Sequence, residues 1–360
     1  MKKIRKISSV NKRPRIATFI PLSILFLIVS SSVFSCAADL PVHIGVLLDD
    51  STGRWQNDSK LIQSRARELG AKVTVKDARG NDDLQLQQAR QLLDAGATVL
   101  IVVAHDSDKA AAIVQAAQEK RVPVVSYDRL IRNSPVSLYI SFDNIQVGKL
   151  QASALLTAMP HGNYFLLEGA ESDNNAHQFE RGQKLALDES ADRIKIIDEI
   201  WCRHWTAKEA YDATVTVLKK TDGKITAIVA ANDDTAAGAI QALAERKLAG
   251  TVPVSGQDAN LAAILRIIRG TQTMTVYKPL GPLAKRAVDA AVALARGAKP
   301  ESTDKITNGD YTVPAILLQP IPVDQNNLGS TVISDGFHPA EEIKKALAPG
   351  EWEKFTSRKR

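Results

Sequence analysis

The sequence is nearly without cysteine: Cys36 and Cys202 are its only two. A disulfide framework is therefore not expected, and stability has to come from packed apolar cores. Catalytic and cofactor signatures are missing as well. There is no G-x-G-x-x-G after the first apolar run, no P-loop, no H-E-x-x-H and no C-x-x-C, which removes the usual marks of dinucleotide, nucleotide, zinc-hydrolase and thiol-redox chemistry. The six histidines are scattered and lack metal-ligand spacing. No uninterrupted apolar run reaches the roughly 20 residues that a membrane-spanning helix needs.

What stands at the N-terminus is a set of seven basic residues (Lys2, Lys3, Arg5, Lys6, Lys12, Arg13 and Arg15), an apolar stretch from Ile16 to Val29, and small residues ending at Ala38. This order reads as a secretory signal over residues 1–38 and implies export. Without those seven, 39 of the 46 Lys and Arg face 40 Asp and Glu. The net charge of +6 thus belongs to the signal and gives no reason to expect a nucleic-acid partner. Val33-Phe34-Ser35-Cys36 also resembles a lipobox, so Cys36 is a candidate lipidation site that would tether the protein to a membrane. Cys202 reads as a lone structural thiol.

A chain of 360 residues exceeds what one core usually organises, so two domains are expected. From Pro41 onward, short apolar runs alternate with segments of helical period, the pattern of an α/β protein with parallel sheets buried on both faces. Candidate strands are Val42 to Leu48, Lys72 to Val75, Val99 to Ala104, Val122 to Ser126, Tyr164 to Leu167, Ile194 to Ile197, Ile225 to Ala230 and Val252 to Ser255. One helix aligns Leu86, Ala89 and Leu93 and is expected to stop at Gly96. Another aligns Ala236, Ile240 and Leu243 and is expected to stop at Gly250.

The chain also repeats itself. Val122-Pro123-Val124 precedes Asp128, and Val252-Pro253-Val254 precedes Asp258 at the same spacing. Upstream, Ala104-His105-Asp106 matches Ala231-Asn232-Asp233. Two similar α/β lobes follow, and because ligands of open parallel sheets sit beyond the carboxyl ends of the strands, Asp128, Asp258 and Asn232 point to one kind of edge.

Near the strand ends lie Arg54, Trp55, Asp128, Arg129, Asp173, Asn174, Asn175, Trp205, Asn232, Asp258 and Lys278. Carboxylate, amide and guanidinium groups can satisfy a sugar hydroxyl as both donor and acceptor, and an indole face covers the C–H side of the ring. Each residue also has a plainer reading. Trp55 and Trp205 could fill core, Asp128 and Asp258 could cap turns, Asp173-Asn174-Asn175 could form an Asx turn, and Lys278 could be solvated. Asp106, Asp233 and Asp234 read as helix caps. A phosphate could engage the three cations, but the surrounding Asp and Asn favour a neutral polyol.

Taken together, Arg54-Trp55-Gln56, Tyr127-Asp128-Arg129, Tyr139-Ile140-Ser141-Phe142-Asp143-Asn144, Gly162-Asn163-Tyr164-Phe165-Leu166, Asp173-Asn174-Asn175-Ala176, Asn232-Asp233, Ser255-Gly256-Gln257-Asp258-Ala259 and the run Gly270 to Pro279 resemble the ribose/galactose-binding family of type I periplasmic binding proteins, in its D-xylose-binding branch. The resemblance covers nearly the whole chain after the signal. It implies a Venus-flytrap fold of two Rossmann-like lobes joined by a three-strand hinge, with crossings near Asn144, Lys278 and Ile321. The N-terminal lobe would be 41–145 plus 280–320, the C-terminal lobe 146–279 plus 321–347, and 348–360 a polar tail.

By the same resemblance, Trp55 and Trp205 would sandwich a monosaccharide, D-xylose or a related pentose. Arg54, Asp128, Arg129, Asp173, Asn175, Asn232, Asp258 and Lys278 would hydrogen-bond it. Asn57 stands where relatives often carry a basic residue, which implies one cation fewer facing the sugar. The expected function is capture by hinge closure and delivery to an ABC transporter permease, by a monomer without cofactor, metal or catalysis. A chemoreceptor or sensor kinase as further partner, another monosaccharide as ligand, and a carboxylate-pair enzyme using Asp128 and Asp258 are the alternatives. A repressor core would need an N-terminal helix-turn-helix, where this chain has a signal.

Overall fold

The computed structural model describes residues 41–357, so the expected signal and Cys36 lie outside the described residues. β1 (His43–Leu48) is buried along its whole length and leads into α1 (Gly53–Glu68). β2 (Lys72–Asp77), α2 (Asp82–Asp94), β3 (Val99–Val102), α3 (Ala111–Glu119), β4 (Val124–Tyr127) and β5 (Leu138–Phe142) continue the alternation. α2 starts where the Asn81 side chain accepts the Leu84 amide at 2.8 Å, and it stops before Gly96, whose φ of +81° suits glycine. These strands pair in parallel, which requires cover on both faces. Val46, Ile101, Val125 and Ile140 enter one core; Leu47, Leu100 and Val102 enter another with Leu92, Ile113 and Val114. β2 departs from the expected two-sided burial because it is an edge strand.

After β5 the chain leaves this sheet through α4 (Asn144–Ala158) and builds a second set: β6 (Gly162–Glu168), α5 (Asn174–Asp188), β7 (Ile194–Trp201), α6 (Ala207–Lys220), β8 (Ala227–Ala230), α7 (Asp233–Glu245), α8 (Leu261–Arg269) and β9 (Thr275–Tyr277). β7, β6 and β8 form a parallel three-stranded sheet in that order. The expected strand at Val252–Ser255 is reduced to two isolated bridges, Ile228 to Val254 and Ala249 to Val252. The Ala230 amide donates to the Ser255 hydroxyl at 3.0 Å in place of its backbone carbonyl, which stops the ladder there. α7 also ends earlier than expected, at Glu245, because Lys247 turns left-handed with φ +60°; Gly250 closes the following turn.

The chain then returns: α9 (Leu280–Ala295) packs Leu283, Ala287 and Val288 against the first core. β10 (Asp304–Asn308) pairs antiparallel with β11 (Tyr311–Leu318), and β11 pairs parallel with β5, extending the large sheet to seven strands in the order β10-β11-β5-β4-β3-β1-β2. β12 (Ile321–Val323) crosses back and pairs antiparallel with β9. α10 (Ala340–Ala346) and α11 (Glu351–Ser357) complete the described chain. The polar tail expected at 348–360 is corrected by α11, which buries Phe355 in a core with Ile267, Ile343 and Leu347 and ties Glu351 to Arg269 at 3.0 Å. Its Trp and Phe, spaced three apart, give it an apolar side. Among the described residues no helix is long and apolar enough to cross a membrane.

Candidate binding site

All ten predicted site residues line one cleft of about 580 Å³. The topology explains why. Arg54 and Trp55 occupy the first turn of α1, just past β1, and Asp128 and Arg129 follow β4. Asp173 and Asn175 open α5 after β6, Trp205 precedes α6 after β7, and Asn232 caps α7 after β8. Asp258 follows the Val254 bridge, and Lys278 follows β9. Each lies beyond the carboxyl end of a strand or bridge, where the next segment turns away and leaves side chains free.

The two repeated aspartates hold the same backbone geometry. Asp128 has φ +61° and donates its amide to Ile140 of β5 at 2.7 Å; Asp258 has φ +93° and donates to Val276 of β9 at 2.8 Å. Neither is a helix cap, so the turn-cap reading gives way to a corner that aims the carboxylate at the cleft. Arg54 Nη2 donates to Asp128 at 2.6 Å, its Nε to Asp58 at 3.3 Å, and its Nη1 lies 3.7 Å from Asp258. Burial raises the Asp128 carboxyl, but Arg54, then Lys278 and Arg129, outweigh it and the net shift is downward. Asp58, which also accepts from Tyr127, is raised by burial despite Arg54.

Arg129 lies between two carboxylates. Its Nη1 donates to Asp49 at 2.7 Å and to the Ala104 carbonyl at 3.0 Å, and its Nε pairs with Asp173 at 2.8 Å. Asp49 in turn meets His105 Nδ1 at 2.6 Å. Burial raises Asp49 but His105 and Arg129 together bring it below the usual range, whereas Asp173 is raised by burial with Arg129 opposing. Asn175 donates to Asp128 Oδ1 at 3.0 Å, and the Ser107 amide donates to the Ser172 carbonyl at 3.0 Å. These bonds connect loops of the seven-stranded sheet with loops of the three-stranded one.

The aromatic and basic members are equally fixed. Trp55 packs in the first core and also lines the cleft, with the guanidinium groups of Arg54 and Arg129 at 4.8 and 5.4 Å from its ring. Trp205 sits at φ +58°, a costly conformation for an aromatic residue, and lies over Gly169, where a Cβ would approach its ring to 2.0 Å. Its Nε1 is buried without a partner. Lys278 is not a solvated charge: it is 3% exposed, 3.3 Å from Asp258 and 5.8 Å from the Phe179 ring. Asp173 does cap α5, accepting the Asn175 amide, while also serving Arg129.

Some expectations need correcting. Asn57 lies exposed on α1 and does not line the cleft; the inward residue one turn beyond Arg54 is Asp58. The cap of α7 is Asn232, in a capping box with Thr235 at 2.9 and 3.1 Å, rather than Asp233 or Asp234. Asp233 is buried, bonded by Gln272 at 2.8 Å and Thr275 at 2.9 Å, and burial pushes its carboxyl up to about 7. Asp234 faces the cleft. Nor does Asp106 cap α3, whose N-cap is Ala110 without a side-chain cap bond; it accepts the Asp108 and Lys109 amides at 2.9 and 3.0 Å in the turn before that helix. The sequence reading missed Asp49, Asp50, Asp58, His204 and Gln257. Asp49 and Asp50 were available from their place after β1, and Asp58 from its i, i+4 relation to Arg54.

The cleft lining combines acceptors, donors and two indoles, with each cation faced by a carboxylate. It can ring a small polyhydroxylated ligand with hydrogen bonds of both senses. Residues 44–299 match the periplasmic binding protein domain family. A D-xylose-binding periplasmic protein from Haemophilus influenzae is 41% identical over 325 residues, covering 89% of this chain and 98% of the relative. One from Escherichia coli is 43% identical over 305 residues, covering 84% and 92%. A solved carbohydrate transporter solute binding protein from Chloroflexus aurantiacus, in complex with D-glucose, aligns with a TM-score of 0.78 at 30% identity, over 84% of this chain and 98% of that one. The chain therefore belongs to the periplasmic binding protein family, with its type I α/β fold.

Proposed function

We propose that this protein captures D-xylose, or a closely related pentose, in the cleft and delivers it to an ABC transporter permease without making or breaking a bond. The observation that carries this reading is the convergence of Arg54, Trp55, Asp128, Arg129, Asp173, Asn175, Trp205, Asn232, Asp258 and Lys278 on one cleft. The 41% and 43% identity to D-xylose-binding relatives supports the choice of sugar. Charge supports a neutral ligand. Arg54 faces three aspartates, Arg129 faces two, and Lys278 faces Asp258, so no cation is spare for a phosphate.

In this reading the lobes are 41–145 plus 280–320 and 146–279 plus 321–347, and the crossings near Asn144, Lys278 and Ile321 act as the hinge. The ligand favours closure because both lobes contribute its hydrogen bonds. The two indoles cover the faces of the ring. The protein works as an exported monomer, and the closed form presents the surface that a permease or a sensor reads. A micromolar affinity, about 8 kcal/mol, suits uptake.

The test is isothermal calorimetry with D-xylose, D-ribose, L-arabinose, D-glucose and D-galactose. D-xylose should bind most tightly; strong binding of D-ribose with none of D-xylose would overturn the assignment. Mass spectrometry after incubation should return the sugar unchanged.

A further inference from the structure

Glu168, the last residue of β6, is fully buried, and neither of its carboxyl oxygens has a hydrogen-bond partner. The neighbouring amides dictate which form of the carboxyl fits. Gln151 Nε2 on α4 donates to the backbone carbonyls of Ala230 at 3.2 Å, Ala231 at 2.9 Å and Gly256 at 3.2 Å. Carbonyls only accept, so Gln151 must give them its nitrogen and keep Oε1 for a donor. Gln183 Nε2 on α5 is that donor, at 3.0 Å. Gln183 is thereby oriented with its own Oε1 turned away from Gln151, and this oxygen is also buried without a partner. The Glu168 carboxyl adjoins the Gln183 amide. A carboxylate there would set acceptor against acceptor, whereas a protonated carboxyl can donate.

We propose that Glu168 is a neutral acid that donates its proton to Gln183 Oε1 and so anchors a hydrogen-bond chain, through Gln151, to the two loops that carry Asn232 and Asp258. Glu168 is a positioning residue, since it does not line the cleft. Its effect on ligand affinity rests on the sugar-binding reading above; its protonation does not.

The surroundings agree. Glu199 on β7 and Glu180 and Lys184 on α5 are the charged groups that act on the carboxyl. Lys184 is already held by Glu180 and, at 2.8 Å, by Glu199. Cys202, just after β7, is a neutral thiol pushed up to about 12 by burial. Burial, then Glu199 and Glu180, outweighs the opposing effects of Lys184 and the Gln183 amide and holds the Glu168 carboxyl well above its ordinary value. Because the folded protein keeps a proton that the unfolded chain releases above about 4.5, stability falls as pH rises from there toward the folded value.

Glu168→Gln supplies an amide donor of the same shape that cannot ionise; Glu168→Leu supplies none. Infrared difference spectra of the sugar-free protein, wild type minus Glu168→Gln at pH 7, should contain the C=O band of a protonated carboxyl. Carboxylate bands alone would overturn the proposal. Between pH 6 and 9 the melting temperature of the wild type should fall more steeply than that of Glu168→Gln, and parallel curves would equally defeat it. For D-xylose, Glu168→Gln should bind within about twofold of wild type and Glu168→Leu about tenfold more weakly, as for one lost buried hydrogen bond. Equal weakening in both variants would refute the anchoring. If no form binds D-xylose, the sugar assignment fails while the infrared band and the pH slope still decide the proton.

Discussion

Asp128 and Asp258 occupy matched corners and share one partner: Arg54 lies 2.6 Å from the first and 3.7 Å from the second. Both corners are left-handed and both amides are tied to a neighbouring strand, so the carboxylates are aimed before any ligand arrives. The shared guanidinium neutralises two carboxylates that would otherwise repel, and it leaves their remaining lone pairs for hydroxyl donors. A hydroxyl that replaces the longer 3.7 Å contact gains a bond without costing the shorter one.

Asp258→Asn should therefore leave the sugar-free protein folded, since this side chain is 25% exposed, and weaken D-xylose binding by roughly 10- to 100-fold, the value of a charged hydrogen bond. Calorimetry measures it. Unchanged affinity would remove Asp258 from the site.

Gly169→Ala acts on the cleft without touching its polar groups. The new Cβ would stand 2.0 Å from the Trp205 ring, so the indole must move. Sugar affinity should drop by about tenfold or more, as in Trp205→Ala, because stacking of an aromatic face on a ring contributes on the order of 1 kcal/mol or more. Intrinsic fluorescence should shift in the sugar-free variant, and an unshifted spectrum with native affinity would contradict the role given to Trp205.

His105 makes stability depend on pH. Its hydrogen bond to Asp49 raises its pKa above 6.5, against a smaller effect of burial. A raised folded pKa contributes stability that is fully present below the unfolded value and is lost as pH rises through the folded one. Wild type should accordingly exceed His105→Gln in melting temperature most at pH 5.5 to 6 and by progressively less toward pH 8. A difference that grows with pH would show that the proton is not on this pair.

The last helix is structural. Phe355→Ala should cost about 3 kcal/mol, the usual price of emptying a buried aromatic site, and truncation before Glu351 should cost at least as much because it also removes the Arg269 pair. Urea unfolding reads both, and a truncated protein of native stability would return this segment to the status of a solvated tail.

Much of the fold was legible because parallel strands buried on both faces read as continuous apolar runs, as at Ile44 to Leu48 and Val99 to Val102. Five strands went unread, β5, β9, β10, β11 and β12: β10 and β12 are partly exposed and exist through their partners β11 and β9, whereas β5 and β9 are buried runs of only five and three residues. Val252 to Ser255 had the apolar run but lost its ladder to a single hydroxyl, an exchange visible only when Ser255 and Ala230 are brought side by side. Among site residues, those after strands were legible by position. His105 was not, because it acts only through Asp49, which meets it from the loop after β1 and also holds Arg129.

By itself the sequence determined the α/β alternation, the repeated aspartate corners and the candidate polar set, because periodicity and turn chemistry are local. Only the tertiary structure decided that Asn57 faces away while Asp58 faces in, that Lys278 is buried, and that Glu168 adjoins Gln183, an amide oriented through Gln151 by three distant carbonyls. Those outcomes depend on which groups share a buried space. In such a space every donor needs an acceptor, and long-range packing, not neighbouring sequence, assigns the partners.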